Sequence, residues 1–275
     1  MAAEVHGAAV RAFDLVADDY DRLADGALFQ AQRVRARAAM LEWLPARSRV
    51  LEIGCGTGLD AVGLAEAGMN VVACDPSSEM QRLTAGRALR AGVVDRVRVL
   101  DCGLEGLPAF LDAIDAEFDA IVSNFGALNC VPSLEALGAV AASHLRPGGA
   151  ALLTVMGRTC LLEMAYFVTT RRPSQALRRR RSGVTVPVGG VDVPTYYHSL
   201  EALGRALGPD LTRAQVRGLG VLLPPPYLEP RWRALPSTVR AAAAAADRVV
   251  SSWPGLNRCG DHVLARWVKR RYGRA

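Results

Sequence analysis

Short apolar runs alternate with amphipathic segments along the first 156 residues of the chain. The apolar runs are rich in Val, Ile and Leu, a composition typical of buried strands. The segments between them carry apolar residues at helical spacing. Strands that alternate with helices predict an α/β fold with a mostly parallel sheet and right-handed crossovers.

The predicted elements of this part follow one another closely. Strands are predicted at 49–54, 70–75, 97–101, 118–124 and 150–156. Helical segments are predicted at 8–30, 31–44, 57–68 and 77–91, and a further one ends at residue 144. In a parallel sheet a ligand lies at the carboxyl ends of the strands, so residues at those ends are the first candidates for a site.

After residue 157 the pattern loosens. Helices are predicted at 160–182, 199–207 and 237–252, a hairpin at 184–194, and strands at 211–222 and 261–270. The chain is accordingly divided into a helical cap (1–48), a core (49–156) and a remainder (157–275) that holds the last strands and lid insertions. The segments 157–198 and 223–258 are expected to form the lid.

A glycine-rich loop follows the first strand, with the pattern Glu52-x-Gly54-x-Gly56-x-Gly58. Glycines at a strand-to-helix turn let a ligand approach the backbone, because no Cβ stands in the way. The next strand ends in Asp75, an acid that can accept both hydrogen bonds of a ribose diol. The spacing differs from the G-x-G-x-x-G of dinucleotide sites, and Glu52 would repel a pyrophosphate. A nucleoside that carries positive charge fits this pattern better.

This combination closely resembles the first motif of the class I S-adenosylmethionine-dependent methyltransferases. The resemblance covers residues 49–156 densely. It implies a Rossmann-like α/β fold: a seven-stranded, mostly parallel sheet with an antiparallel last strand, helices on both faces, and lid insertions. It also implies S-adenosyl-L-methionine as the cofactor and S-adenosyl-L-homocysteine as the product.

The resemblance further implies individual roles in cofactor binding. Asp75 is expected at the ribose hydroxyls, the Asp101 carboxylate at the adenine amine, and the Cys102 amide at the adenine ring. The glycine amides are expected at the amino-acid end, where Glu52 fixes the loop or reaches the ammonium through water. The alternatives are a helix cap for Asp75 and a plain strand end for Asp101. The complete set of predicted cofactor-binding residues is Glu52, Gly54, Cys55, Gly56, Gly58, Asp75, Pro76, Met80, Asp101, Cys102 and Asn124.

Two residues are predicted to take part in catalysis. His198 is the candidate general base, because it follows two tyrosines just after the lid segment and imidazole titrates near neutral pH. Tyr20 resembles the residue that folds over the methionine end of the cofactor in this family. A structural or surface role is the alternative for both. The residues predicted to line the acceptor pocket are Tyr196, Tyr197, Phe125 and Tyr227.

The other histidines are interpreted as structural or exposed: His6, His144 and His262. The pair Asp261–His262 is set aside because no nucleophile motif accompanies it. The six cysteines are scattered without a CxxC pair, so they are interpreted as structural thiols and no metal site is predicted.

Composition restricts the class of protein. The 275 residues are 51% hydrophobic and 22% charged, which argues against a disordered chain. Runs of eighteen apolar residues are absent, so no membrane span is predicted. The start Met1–His6 lacks the basic residues and apolar core of a signal peptide, so a cytoplasmic location is expected.

A net charge of +6 and a run of arginines at 178–181 raise the question of nucleic acid. No aromatic stacking motif accompanies the run, so it is interpreted as a solvated face and nucleic acid is not the predicted partner. Pro225-Pro226-Tyr227 resembles the Asn/Asp-Pro-Pro-Tyr loop of amino-methylating enzymes. That loop belongs directly after strand four, and here it lies about a hundred residues later.

The sequence therefore predicts a methyltransferase that acts on a small molecule, in bacterial specialised metabolism. The alternatives are an RNA or protein methyltransferase, and a catalytically silent cofactor-binding or scaffold subunit. The atom that receives the methyl group (O, N, S or C) is left open. The oligomeric state is also open, with a homodimer among the choices.

Overall fold

A seven-stranded sheet forms the centre of the molecule in a computed structural model, which describes residues 2–114, 116–181 and 183–271. The strands of this sheet are β1 (Arg49–Ile53), β2 (Asn70–Asp75), β3 (Val97–Asp101), β4 (Phe118–Ser123), β5 (Leu145–Met156), β8 (Leu211–Leu219) and β9 (His262–Lys269). A separate hairpin consists of β6 (Val184–Val188) and β7 (Val191–Thr195).

The order of the strands is β3-β2-β1-β4-β5-β9-β8. The first five strands pair in parallel, whereas β9 runs antiparallel to both β5 and β8. Because β9 runs the other way, it begins at the edge where the parallel strands end, and His262 pairs with Met156 there. This topology confirms the predicted fold, including the antiparallel last strand.

Helices cover both faces of the sheet, as predicted. Val50 of β1 faces a cluster with α2 and α3, whereas its neighbour Leu51 faces a cluster with α5 and α6, because side chains alternate along a strand. The helices are α1 (Ala2–Leu23), α2 (Ala27–Trp43), α3 (Leu59–Glu66), α4 (Ser78–Arg90), α5 (Leu107–Ala113), α6 (Glu135–His144), α7 (Leu161–Thr169), α8 (Pro173–Ala176), α9 (Leu200–Leu207), α10 (Glu229–Arg233) and α11 (Ser237–Val250). Within the ranges that the structure describes, none of these helices is long and apolar enough to cross a membrane.

Three segments close the carboxyl edge of the sheet, and we call them the roof: α1, the β6–β7 hairpin and residues 225–233. The hairpin turns at Gly189 and Gly190, whose φ angles of 57° and 80° suit a two-residue turn. It packs against α1, where Ala9 and Ala12 form a small cluster with Val193. The predicted hairpin is thus confirmed, and it covers the predicted site.

Several boundaries differ from the sequence prediction. The helical segment predicted at 8–30 is interrupted, because α1 ends at Leu23 and α2 begins at Ala27, and β5 begins at Leu145 rather than at residue 150. The helix predicted at 160–182 is broken into α7, α8 and a short 3-10 turn at Arg178–Arg180. Pro173 explains the break, because proline cannot continue a helix and disfavours helical geometry in the residue before it. Within the predicted cap 1–48, only α1 lies in the roof, since Ala36, Met40 and Trp43 of α2 are buried against the sheet.

Candidate functional site

The glycine loop lies at the carboxyl end of β1, and Gly54, Gly56 and Gly58 all have positive φ, at 72°, 54° and 78°. L-residues other than glycine rarely adopt this geometry. The amides of the loop are engaged within the protein: Gly54 donates to the Cys74 carbonyl (2.8 Å), Gly56 to Asp75 Oδ2 (2.9 Å) and Gly58 to the Cys55 carbonyl (3.0 Å). Contact of these amides with the amino-acid end of a ligand, as predicted, would therefore have to replace or share these bonds.

What the loop offers instead is open space at one position. A Cβ on Gly54 would lie 2.3 Å from Ala127 Cβ, and one on Gly58 would lie 2.8 Å from the Thr84 side chain. A Cβ on Gly56 would have no atom within 4 Å. Gly54 and Gly58 thus pack tightly against neighbours, whereas Gly56 presents bare backbone to the cavity that it lines.

Asp75 ends β2 and is buried beside the loop. Besides the Gly56 amide, its carboxylate accepts the Ser77 amide at 3.0 Å. Burial raises the pKa of Asp75, and the two amide donors oppose that rise. The residue that caps the N-terminus of α4 is Ser77, whose hydroxyl accepts the Met80 amide (3.2 Å). Asp75 is therefore not the helix cap.

A small, mainly apolar cavity of about 90 Å³ lies next to Asp75. Its walls include Ile53, Cys74, Pro76, Cys102, Leu104 and Leu128. Asp101 is exposed at the end of β3 and is not among the residues that line this cavity; its carboxylate accepts from Gln81 at 2.9 Å. The Cys102 amide already donates to the Leu100 carbonyl (3.1 Å), so its predicted contact with an adenine ring would have to replace this bond.

A larger cavity, of about 1300 Å³, lies under the roof and joins the glycine loop to the hairpin. Ligand sites are typically about 300–1000 Å³, so this cavity has room for more than one small molecule. It is lined by the predicted residues Tyr20, Glu52, Cys55, Met80, Asn124, Phe125, Tyr197 and Tyr227. Burial raises the pKa of Tyr20, which keeps its hydroxyl protonated.

Two buried charged groups in this cavity have an atom without a partner. Glu52 is 2% exposed and its Oε2 makes no hydrogen bond; the same is true of Nε of Arg33, which is 9% exposed. Burial, together with Asp60, raises the pKa of Glu52 well above its ordinary value, although Arg33 and Arg37 oppose the rise. No bond from Glu52 to the glycine loop is present among the described residues, so Glu52 does not fix that loop as expected.

Arg33 is held in an aromatic clamp. Its guanidinium lies 5.1 Å from the ring centroids of both Phe29 and Phe125. Its ion pair with Asp60 is long, at 3.5 Å. The Asn124 side chain is turned away from the cavity centre, since it donates to Asp60 (3.1 Å) and accepts from the Thr154 hydroxyl (2.7 Å). The sequence analysis missed Arg33, whose helix precedes β1 and carries no motif.

The predicted base, His198, is not among the residues that line either of these cavities. Its Nε2 lies 3.0 Å from the Val131 carbonyl, and its ring stacks with Tyr196, which is likewise outside the cavities. Burial lowers the pKa of His198, and the hydrogen bonds to the carbonyls of Val131 and Leu128 partly offset this lowering. A ring nitrogen facing a carbonyl acts as a donor, so this geometry places His198 in a structural position.

A buried ionic network borders the same cavity and was also missed. Arg179 is 5% exposed and donates to Glu163 Oε2 (2.6 Å), Asp261 Oδ1 (2.7 Å) and the Asp261 carbonyl (2.9 Å). Arg178 donates to Glu163 Oε1 at 2.5 Å. The interpretation of the arginine run as a solvated face is therefore wrong for these two residues. Cys160, Glu163 and Asp261 are close enough to hold a metal ion, but Arg178 and Arg179 already pair with the two carboxylates.

His262 adjoins this network, lines the large cavity and is 5% exposed. Its Nδ1 lies 2.8 Å from Gln32 Oε1 and 3.1 Å from Asp261 Oδ2. The interpretation of His262 as merely structural or exposed thus overlooked its place in the cavity. His144 is buried against the Ala116 carbonyl (2.8 Å), and the side chain of His6 lies outside the described residues.

Comparison with known proteins gives one family match, to the family described as a methyltransferase domain, over residues 50–149. A ubiquinone biosynthesis O-methyltransferase of Xanthomonas axonopodis is 35% identical over 127 residues, covering 46% of this chain and 50% of that protein. A demethylmenaquinone methyltransferase of Clavibacter sepedonicus is 34% identical over 143 residues, covering 50% and 53%. The chain thus spans about half the length of the curated relatives it matches.

Two solved structures show the same fold at low identity. The geranyl diphosphate C-methyltransferase of Streptomyces coelicolor, solved with Mg²⁺, geranyl diphosphate and S-adenosyl-L-homocysteine, superposes with a TM-score of 0.55. It is 17% identical, over 87% of this chain and 79% of that one. The 4+2 cyclase SpnF gives a TM-score of 0.60 at 18% identity, over 94% of both chains.

Proposed function

From the premise that residues 50–149 of this chain form a class I, S-adenosylmethionine-dependent methyltransferase domain, we propose that the protein transfers a methyl group to a small-molecule acceptor. The family match bears out the predicted cofactor. The acceptor and its place in specialised metabolism are our proposal. The observation that carries the proposal is that two residues of one cavity wall, Glu52 and Arg33, each have a buried polar atom without a partner.

This pair is complementary to an amino acid. A buried carboxylate oxygen without a partner calls for a donor, and a buried guanidinium N–H calls for an acceptor, since an unmade hydrogen bond in the interior costs about 1–3 kcal/mol. The α-ammonium and α-carboxylate of methionine supply one of each. Glu52 and Arg33 are near enough for Arg33 to influence the pKa of Glu52. A dinucleotide would leave Glu52 without a donor.

The remaining parts of the cofactor have places along the same edge of the sheet. Asp75 suits the ribose hydroxyls, and the smaller apolar cavity beside it suits a flat adenine ring. Bare backbone at Gly56 allows the ligand to lie close to the loop. When bound, S-adenosylmethionine supplies a methyl group already activated by its sulfonium, so the protein chiefly has to bring the acceptor into line with it.

The roof favours a small, apolar acceptor over a macromolecule. The large cavity is covered by α1 and the hairpin, and its outer walls include Pro226, Tyr227 and Tyr197. Arg178 and Arg179 are paired with acids, so they are not available to bind phosphates in the way an RNA enzyme requires. The names of the two curated relatives refer to ubiquinone and menaquinone compounds, which supports a flat acceptor.

The shared fold with a cyclase means that the fold alone does not establish the reaction. Transfer of a labelled methyl group separates our proposal from a silent cofactor-binding subunit. Labelled S-adenosylmethionine incubated with the protein and a whole-cell extract should yield a labelled small-molecule product. Labelled protein or RNA in the same experiment would instead support one of the two alternatives.

We expect S-adenosylmethionine and its demethylated product to bind, and NAD not to bind, because Glu52 lies where a pyrophosphate would have to pass. Calorimetry with each of the three ligands measures this directly. Asp75→Ala should weaken cofactor binding by about 1.5–3 kcal/mol, the range for hydrogen bonds to charged groups. Heat from NAD and none from the methionine nucleoside would contradict the proposal. Thermal unfolding of the same variant shows whether losing the bonds to Gly56 and Ser77 has unfolded the loop.

Cofactor binding should also release a proton from Glu52. Burial raises the pKa of Glu52 and so favours the protonated carboxyl in the free protein, whereas a neighbouring ammonium favours the carboxylate. Affinity should therefore rise with pH until that raised pKa is passed, and level off above it. Calorimetry at mildly acidic pH, in buffers of different ionisation enthalpy, counts the protons released. Glu52→Gln is the matched control, which should bind more weakly and release none; proton uptake by the wild type would refute the assignment.

A further inference from the structure

The antiparallel direction of β9 brings a histidine to the carboxyl edge of a sheet whose other strands end there. His262 opens β9 opposite Met156, the last residue of β5. Both residues line the large cavity, together with Phe125 of the loop after β4. The rings of Phe125 and Phe29 meet His262 edge-on, with centroids 5.3 Å and 6.4 Å away.

The neighbours of His262 fix its tautomer. Nδ1 lies 2.8 Å from Gln32 Oε1 and 3.1 Å from Asp261 Oδ2, and both of these atoms are acceptors. The orientation of the Gln32 amide is set by its other end, where Nε2 donates to Asp261 Oδ2 at 3.2 Å. Nδ1 must therefore carry the proton in the neutral ring, which leaves the lone pair on Nε2. No hydrogen bond from Nε2 to any described residue is present.

Asp261 is held as a carboxylate. Burial alone would raise the pKa of Asp261, but His262 and Arg179 together hold it below its ordinary value. Arg179 grips both the side chain and the backbone carbonyl of Asp261, and Glu163 neutralises the other side of the guanidinium. A fixed negative charge at Nδ1 stabilises the ring when Nε2 accepts a proton.

Besides Asp261 and the Arg179 that binds it, a further charged group near the ring is Arg33, whose guanidinium lies over Phe29 and Phe125, the two rings that touch His262. The other cations of the cavity wall are paired with acids: Arg178 and Arg179 with Glu163 and Asp261, and Arg233 with Glu229. The acceptor half of the cavity thus has apolar walls and internally balanced charge. This environment favours a neutral acceptor over a phosphorylated or carboxylated one.

We propose that His262 is the general base of the reaction and that the acceptor is a neutral, hydroxyl-bearing aromatic compound. The inference rests on the proposed methyl transfer and deepens it. The hydroxyl oxygen forms the new bond to the methyl carbon while the carbon–sulfur bond breaks and its electron pair stays on sulfur. The hydroxyl proton passes to His262 Nε2, and the resulting imidazolium is paired with Asp261. Gln32 and Asp261 are positioning residues, because they act through the ring.

Two acceptors of one shape test this assignment: 2-naphthol and 2-naphthalenethiol. The naphthol must lose its proton to a base, whereas the arenethiol is largely ionised near neutral pH and is a nucleophile without help. His262→Ala should lower kcat for 2-naphthol by ~10²–10⁴-fold and leave the thiol reaction within about threefold. Added imidazole should restore the naphthol reaction of this variant, because the deleted ring leaves a gap in the cavity wall.

The competing histidine supplies a second kinetic test, because His198→Gln should change the naphthol rate less than tenfold. An equal loss with naphthol and thiol in His262→Ala would show a structural role. A large loss in His198→Gln with little in His262→Ala would overturn the assignment in favour of His198.

A measurement that needs no turnover tests the tautomer. Long-range ¹H–¹⁵N spectra of the ¹⁵N-histidine-labelled protein should show His262 protonated at Nδ1 in its neutral form, and Gln32→Met should weaken this preference. A neutral ring protonated at Nε2 would overturn the proposal. If the protein binds S-adenosylmethionine but methylates none of the naphthalenes, the acceptor class is wrong and the cofactor assignment stands; failure to bind the cofactor would refute the proposed function itself.

Discussion

Replacing Arg179 with methionine is expected to lower the free energy of unfolding by about 3–5 kcal/mol, the usual cost of removing one partner from a buried ion pair. Arg179 is 5% exposed and is the cation that both Glu163 and Asp261 face. Without Arg179 the two buried carboxylates repel each other, and among the described residues Arg178 and His262 are the remaining side chains paired with them. Urea unfolding of the two proteins measures the difference.

Arg180→Met is the matched control, because Arg180 belongs to the same run and is exposed. Its replacement should change stability by no more than about 0.5 kcal/mol. Equal effects of the two replacements would mean that the network contributes nothing to stability.

The contribution of Asp261 to the free energy of unfolding should also depend on pH. Because the folded pKa of Asp261 lies below its unfolded value, its contribution is present above the unfolded value and is lost as pH falls toward the folded one.

Two alanine substitutions in the glycine loop should separate folding from binding. Gly54→Ala would place a Cβ 2.3 Å from Ala127 Cβ at a φ of +72°, so we expect a loss of about 2–4 kcal/mol in stability from overlap and backbone strain together. Gly56→Ala should lose only about 1–2 kcal/mol in stability, from backbone strain alone, since no atom lies within 4 Å of the new Cβ. The new methyl group would instead enter the space in which we place the cofactor.

Gly56→Ala should therefore weaken binding of S-adenosylmethionine by more than tenfold. Its thermal unfolding temperature should be lowered less, relative to the wild type, than the unfolding temperature of Gly54→Ala. Calorimetry and thermal unfolding of both variants provide the comparison. Unchanged cofactor affinity in Gly56→Ala would mean that the ligand lies elsewhere in the cavity. Greater stability of Gly54→Ala than of Gly56→Ala would show that the loop relaxes around Ala127.

The sheet and the glycine loop were predictable because their signals are local. Each strand is a short apolar run, and the loop with Asp75 lies within 25 residues of β1. The hairpin turn at Gly189 was predictable for the same reason. These features depend on neighbours in sequence, so one chain without relatives is enough to recognise them.

The other half of the site depends on contacts distant in sequence. Gln32 meets Asp261 across 229 positions, and Arg179 meets Asp261 across 82. No local pattern distinguishes Arg179 from its exposed neighbours in the run. His262 did carry a usable signal: an antiparallel last strand predicted from residue 261 must begin at the carboxyl edge, where the site was expected.

The roof has a consequence for how the protein can change. It touches the sheet through few apolar residues, with Ala9, Ala12 and Val193 as its own small cluster, and it contributes no strand to the sheet. The family match covers residues 50–149 and therefore includes none of the three roof segments. We expect the matched part to be shared among relatives and the roof to vary with the acceptor. Grafting the roof of a relative with a known acceptor onto residues 50–149 would test whether the roof sets specificity.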